Sequence, residues 1–363
     1  MKTKIFILII FIIPFSGCEK LFFENDPPDT SINSFEMFWS DFDKFYPSFG
    51  IKHINWDSVY NIIRPKITDQ TSGVELFNLF SGMIKPLKDG HVTLVSNYGE
   101  CNSYTIPPEY YGNMRLYPQN YLSSFKVNNS NISYWSFKNY NLGYISINTF
   151  DVKSGTFVFA DDSFLVIDDI IKEFKDKDGI IIDLRWNAGG YPTNVETIAD
   201  RFTDKKRLYI KIRSKNGPGK SDFSEWADCY IEPKGPQQFL KPVVVLTSKV
   251  TGSAAEWFTL AMKTLPNTTI VGDTTAGCFS PKVERELPNG WSFTLSSKIA
   301  VSANMVQYEG FGIPPDYTVL NTKNDFDNKR DAMLEKGIEV IATKQQFQTP
   351  LKNNHGNRYN SSK

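Results

Sequence analysis

The segment Val243-Val244-Val245-Leu246-Thr247-Ser248-Lys249-Val250-Thr251-Gly252-Ser253-Ala254-Ala255-Glu256-Trp257-Phe258 changes its periodicity partway. The apolar run Val243 to Leu246 reads as a strand buried on both faces; a Gly-Ser break follows, and the residues after it read as a helix. Ser253 stands at the break, where two roles are open to it. Ser is a favoured helix N-cap. It also sits where unpaired backbone N–H groups point outward and the small Ala254 and Ala255 let a substrate approach, which suits a nucleophile.

The same texture extends in both directions. Strands are expected at 142–149, 179–184, 208–212, 243–246 and 268–271, separated by helices at 160–174, 193–203 and 253–264. Apolar strands alternating with helices imply an α/β fold, a mostly parallel sheet covered by helices. A further strand is expected at 291–301, a break at Pro314-Pro315, and a closing helix at 325–343. Upstream, Phe35, Phe38, Trp39, Phe42 and Phe45 recur at helical spacing behind Asn33 and Ser34 as caps. Val59, Ile62 and Ile63 repeat the pattern, as do Val74, Phe77, Phe80, Ile84 and Leu87. These give an N-terminal helical subdomain over 33–95, with the aromatic stripe as its core. It ends in a strand from His91 to Val95. Residues 96–140, rich in Asn, Tyr, Ser and Pro, form a connecting region; 141–344 form the α/β domain; 345–363 are a polar tail.

The chain opens with Lys2 and Lys4 followed by an apolar run from Ile5 to Phe15 that is short for a membrane span, hence a signal peptide over 1–17. That run ends in Ser16-Gly17-Cys18, which resembles a lipobox and implies that Cys18 is the lipidated mature N-terminus; the alternative is an ordinary signal with a chance Cys. Residues 18–32 then read as a tether, and the protein as a resident of the bacterial cell envelope, periplasmic or surface-facing, joined to the membrane by its lipid. Loss of residues 1–17 leaves 38 basic and 40 acidic side chains, so no global field recruits nucleic acid. Cys101, Cys229 and Cys278 show no metal-ligand spacing, and three histidines are too few for a His-rich site. One disulfide and one free thiol are allowed, and no metal or cofactor is expected.

Sites in open α/β sheets gather at the carboxyl ends of strands. One such end reads Asp183-Leu184-Arg185-Trp186-Asn187-Ala188-Gly189-Gly190, whose paired glycines fit either a tight turn or backbone N–H groups aimed at an anion. A serine nucleophile needs a base, and imidazole has suitable basicity. His355 lies in the tail and His53 beside a helix. His91, at a helix-to-strand junction after Asp89-Gly90, is placed to enter a cleft or to serve as a structural histidine.

Taken in order, the segments 179–190, 246–256, 270–277 (Ile270-Val-Gly-Asp-Thr-Thr-Ala-Gly277) and 310–316 (Gly310-Phe-Gly-Ile-Pro-Pro-Asp316) resemble the S41 serine peptidases, which include C-terminal processing peptidases and the tricorn core. The resemblance spans roughly residues 30–343 and implies a crotonase-like core with Ser253 as nucleophile. One branch of the family carries a Lys base 25 residues after its serine; that position here is Cys278, which cannot serve as such a base. The tricorn-like branch uses a His and a Glu, and Lys88-Asp-Gly-His-Val-Thr93 and Tyr308-Glu-Gly310 resemble those segments, nominating His91 and Glu309. Ala254 with Gly189 or Gly190 would then hold the oxyanion. The tricorn core has Ser before its His, whereas this chain has Gly90, so Asp89 or Glu309 would orient the imidazole. The expected activity is hydrolysis of a peptide or protein substrate through an acyl-enzyme. The rival is an inactive peptide- or ligand-binding lipoprotein on the same fold.

Overall fold

The first helices form where aromatic spacing demands them: α1 (Ser31–Phe45), α2 (Trp56–Ile63) and α3 (Gly73–Ile84). The cap of α1 is Thr30, whose side chain accepts from the Asn33 N–H, so the helix starts ahead of the expected caps. Phe35, Phe38, Phe42 and Phe80 are wholly buried, with Phe38 stacked on Phe80 at 4.4 Å between ring centroids. Ile62 and Val74 face solvent instead. The computed structural model describes residues 27–108, 110, 117–123, 126–127, 131–152, 161–217 and 219–348. The signal segment, Cys18, the first part of the tether and the tail beyond 348 lie outside the described residues.

This aromatic core is completed from far along the chain. Strands β1 (Thr93–Ser96) and β2 (Gly99–Asn102) form an antiparallel sheet with β11 (Lys282–Glu286) and β12 (Ser292–Ser296), in the order β11-β12-β1-β2. Leu287, Trp291, Phe293 and Leu295 enter the same core as the three helices. The strand expected at 291–301 is therefore two strands in two sheets: β12 here, and β13 (Lys298–Ser302) elsewhere.

The central sheet has the order β14-β10-β9-β6-β5-β4-β3. Its strands are β3 (Lys126–Val127), β4 (Ile132–Ser136), β5 (Leu142–Ile147), β6 (Gly179–Asp183), β9 (Val243–Thr247), β10 (Thr268–Gly272) and β14 (Tyr317–Thr318). Pairs from β14 through β5 are parallel, while β4 and β3 extend the sheet antiparallel from within the connecting region, which also carries the short helix α4 (Pro118–Tyr121). The strand expected at 208–212 is β7 (Arg207–Ser214), and it leaves this sheet to form a separate antiparallel one with β8 (Ala227–Ile231) and β13. Its partly polar, mostly half-buried sequence suits an antiparallel sheet better than a doubly covered parallel one.

Both faces of the central sheet are covered, as the unbroken apolar runs require. Ile180, Ile182, Val243 and Val245 pack toward α5 (Ile167–Phe174), α6 (Pro192–Ala199) and α7 (Ala254–Lys263). Their neighbours Ile181, Val244 and Leu246 point the other way, onto Leu334, Ile338 and Ile341 of the C-terminal helix Ala332–Gln348. Each such side chain contributes roughly 2 kcal/mol on burial. Among the described residues, no helix is long and apolar enough to cross a membrane.

A network of buried charges sits inside this layered core. Arg185, just past β6, is fully buried and bonded to Asp183 and to Asp331, the residue before the C-terminal helix, with its Nη1 2.8 Å from Asp331 Oδ1 and its Nη2 2.6 Å from Asp183 Oδ2. Tyr144 donates to Asp183 at 2.6 Å and Asn321 to Asp331 at 3.1 Å. The network ties the C-terminal helix to the end of β6, from which a cleft loop departs. Asp331→Ala should cost about 3–5 kcal/mol, because it strands part of a buried guanidinium. Urea unfolding measures this, and a loss below about 1 kcal/mol would show that the guanidinium finds water.

Candidate active site

Ser253 occupies the turn from β9 into α7 with φ 54° and ψ −123°, a backbone conformation that side chains other than glycine rarely adopt. Glu256 holds it there. Its Oε2 accepts the Ser253 N–H at 3.0 Å and the Cys278 N–H at 2.9 Å; its Oε1 accepts the Thr275 hydroxyl at 2.6 Å and the Gly277 N–H at 2.8 Å. Burial pushes the Glu256 carboxyl up to about 7, against these four hydrogen bonds, which favour its ionised form. The Glu256 and Trp257 N–H groups go to the Ser253 carbonyl; Ser253 and Glu256 have the arrangement of a capping box, but the serine side chain makes no cap hydrogen bond of normal geometry. Ser253 thus occupies the N-cap position and lines a cleft of about 920 Å³.

The loop after β6 lies directly against this turn. The Gly252 N–H donates to the Asn187 carbonyl at 3.1 Å, and the Thr251 and Ser248 hydroxyls donate to the carbonyls of Leu184 and Arg185. Gly189, at φ 124°, leaves no room for a side chain, since a Cβ there would fall 2.6 Å from the Ser253 Cβ and 3.1 Å from the Ala254 nitrogen. Its own N–H is committed to Asn187 Oδ1 at 2.9 Å. The neighbouring Gly190 N–H and the Ala254 N–H, at the first position of α7, make no hydrogen bond among the described residues. All three line the cleft with Ser253.

His91 enters the same cleft from the opposite layer, on the turn that leads into β1. It is 8% exposed. The Asp89 Oδ1 accepts its backbone N–H at 2.8 Å, and its carbonyl accepts the Thr294 hydroxyl of β12 at 2.7 Å. Burial pulls its imidazole below the ordinary histidine value; the Asp89 charge opposes this, the Lys282 charge adds to it, and the Ser280 backbone beside the ring opposes it. His53 is exposed, and His355 lies outside the described residues.

Glu309 is wholly buried behind the cleft wall. Its Oε2 accepts the N–H groups of Phe279 and Ser280 at 2.9 and 2.8 Å, and Oε1 lies 4.0 Å from Lys52 Nζ. Burial, with the Asp89 charge, pushes its carboxyl up to about 8. Glu309 thereby shapes the peptide segment whose Ser280 backbone faces His91. Burial pushes the Cys278 thiol well above its ordinary value, which disfavours a thiolate there. Its Sγ fills the space beside Gly90: a Cβ there would lie 2.2 Å from the sulfur. Cys101, Cys229 and Cys278 are all free, and the disulfide that composition allowed is not formed. Among the described residues no cluster suited to a metal ion occurs. Sequence reading gave Glu256 and Asn187 no role; the Ser-x-x-Glu spacing from 253 to 256 is a capping-box signal that pointed to the first.

Residues 141–319 match the model of peptidase family S41, and residues 30–85 that of the tricorn protease C1 domain. The carboxy-terminal processing protease CtpB of Bacillus subtilis is 32% identical over 205 residues, which make up 55% of this chain and 38% of that protein. The chain thus spans well under half the length of this curated relative. The structure of a putative peptidase from Parabacteroides merdae superposes with a TM-score of 0.77 at 29% identity, covering 86% of this chain and 96% of the other. Mature CPAF complexed with lactacystin shares the fold, with a TM-score of 0.63 at 13% identity over 87% of this chain and 98% of its own.

Gly90 and Cys278 pack against one another, so substitutions at the two positions should be strongly non-additive. Gly90→Ser alone should cost about 1–3 kcal/mol through overpacking, and Cys278→Ala in the same chain should recover most of it. Urea unfolding of the two single variants and the double variant measures the coupling; simple additivity would contradict the contact.

Proposed function

Because the chain belongs to peptidase family S41 through residues 141–319, we propose that it is a serine peptidase that cleaves peptide or protein substrates with Ser253 as nucleophile and His91 as base. The observation that carries the reading is the turn at Ser253. A strained backbone held by a buried carboxylate sets Ser253 in the cleft that also receives His91. A Glu clamp on the N-cap N–H is shared with ordinary capping boxes such as Ser72–Glu75, whose serine keeps an extended backbone; the positive φ of Ser253 is what a capping serine would not need.

In this reading the Ser253 Oγ attacks the scissile carbonyl carbon while the imidazole of His91 takes its proton. The oxyanion that forms is held by the Ala254 N–H and, of the two glycines, by that of Gly190, since the Gly189 N–H is already given to Asn187. One such donor is worth about 3 kcal/mol of barrier. The tetrahedral intermediate collapses as the leaving amine takes the proton from the imidazolium, and a water, deprotonated by His91, then releases the acyl group. Glu309 orients the base indirectly, by fixing the Ser280 peptide. The Ser-Lys mechanism of the other branch has no counterpart at Cys278.

The second part of the reading is location. A charged start, a short apolar run and Ser16-Gly17-Cys18 support cleavage before Cys18 and its lipidation, which would anchor the peptidase to the outside of a bacterial membrane on the tether that ends at residue 32.

A serine-reactive fluorophosphonate should label the wild type and not Ser253→Ala; a folded wild type that stays unlabelled would favour the binding-protein alternative. His91→Ala should lower kcat by about 10⁴-fold with little change in KM. Because burial lowers the His91 pKa and the base must be neutral, kcat/KM should hold on acidification to below about pH 6.5, the unperturbed histidine value, before it falls. An acid limb centred above that pH would assign the base elsewhere. Mass spectrometry of membrane-extracted protein should find Cys18 first in the chain and lipid-modified; an unmodified Cys18 would refute the anchor.

A further inference from the structure

We propose that Asp89 is the positioning residue and charge partner of His91; the proposal rests on the peptidase reading for its catalytic consequence, though not for the interaction itself. Asp89 is 1% exposed and is fixed from four directions. Its Oδ1 accepts the His91 backbone N–H at 2.8 Å. Its Oδ2 accepts the hydroxyls of Tyr46 and Ser296, each at 3.0 Å, and its own N–H donates to Ser103 Oγ at 3.2 Å. The segment after α1, the end of β2 and the end of β12 therefore converge on one carboxyl group, two residues before the proposed base. Among the described residues it forms no ion pair, so neutral hydroxyl and amide donors surround its charge without cancelling it.

Glu309, the acid that the family resemblance nominates, is placed differently. Its bonded oxygen faces the N–H groups of Phe279 and Ser280, and burial, with the Asp89 charge, pushes its carboxyl up, which disfavours its ionised form. Around the imidazole, Asp89 favours the protonated ring and Lys282 disfavours it, while the Ser280 backbone favours it. The other ionisable groups of this layer, Tyr46, Cys278 and Glu309, respond to the Asp89 charge themselves. When the ring takes the Ser253 proton, it is the carboxylate of Asp89 that lowers the energy of the imidazolium. Gly90 permits this arrangement: it sets the base two residues after the acid, with Cys278 filling the space a side chain there would occupy.

The test uses Asp89→Asn in the full-length protein. Asn keeps an oxygen for the His91 N–H, and the Tyr46 and Ser296 hydroxyls can rotate to accept from its amide. With only three histidines in the chain, the His91 ring can be followed by proton NMR, assigned through its loss in His91→Ala. The expected result is a His91 pKa lower than in the wild type, with kcat reduced by about 10²-fold and KM within about threefold. The sign is decisive. A merely structural role would open the site and raise the pKa toward the exposed value as burial is relieved, so a raised or unchanged pKa overturns the proposal. If Asp89→Asn does not fold, Asp89→Ser, whose hydroxyl can also accept the His91 N–H, is read by the same sign. A lowered pKa in a protein whose wild type hydrolyses no peptide would overturn the peptidase reading and leave the charge pairing standing.

Discussion

The carboxyl group of Glu256 is the constraint around which the cleft is arranged. It is buried, and it bonds the turn carrying Ser253 and the segment from Thr275 to Cys278 at once. A non-glycine residue at positive φ costs of order 1–3 kcal/mol and persists where its surroundings over-determine it. Here they do so from two sides: Glu256 takes the Ser253 N–H, and the loop after β6 takes the Gly252 N–H through the Asn187 carbonyl. The clamp therefore fixes more than the serine, because the segment it holds runs on to Phe279 and Ser280, where Glu309 takes over. Two buried acids in succession thus shape one wall of the cleft.

The other wall comes from a different layer. His91 is carried into place by the pairing of β1 with β12, which puts Thr93 opposite Thr294 across some 200 residues of chain. The aromatic core of α1 to α3 is closed by Trp291, Phe293 and Leu295 from the same hairpin. Helical region and central sheet are consequently not separable pieces, since the hairpin joining them follows directly from the cleft segment that Glu256 and Glu309 hold. The two departures from the resembled pattern, Gly90 and Cys278, meet across this joint and fit each other sterically. That contact explains why both can occur in one chain.

The α/β architecture and the position of Ser253 at the break between β9 and α7 were legible in the sequence, because local periodicity records which faces a strand or helix buries, and the apolar runs 180–182 and 243–246 leave no polar face. The aromatic stripe of α1 was legible for the same reason. What periodicity does not carry is partnership. Nothing local in 208–212 or 291–301 tells which sheet they join: the first stands apart from the parallel sheet that the strand–helix alternation suggests, and the second divides between two sheets, since strand pairing is decided by contacts distant in sequence. Nor does spacing tell which oxygen accepts which N–H. Only the tertiary structure decided that the Gly189 N–H is already used, that Glu309 reaches toward His91 through a peptide group, and that Asp89 is bonded to the His91 backbone as well as to Tyr46 and Ser296, because each depends on how groups from separate segments share the few hydrogen bonds available in a buried site.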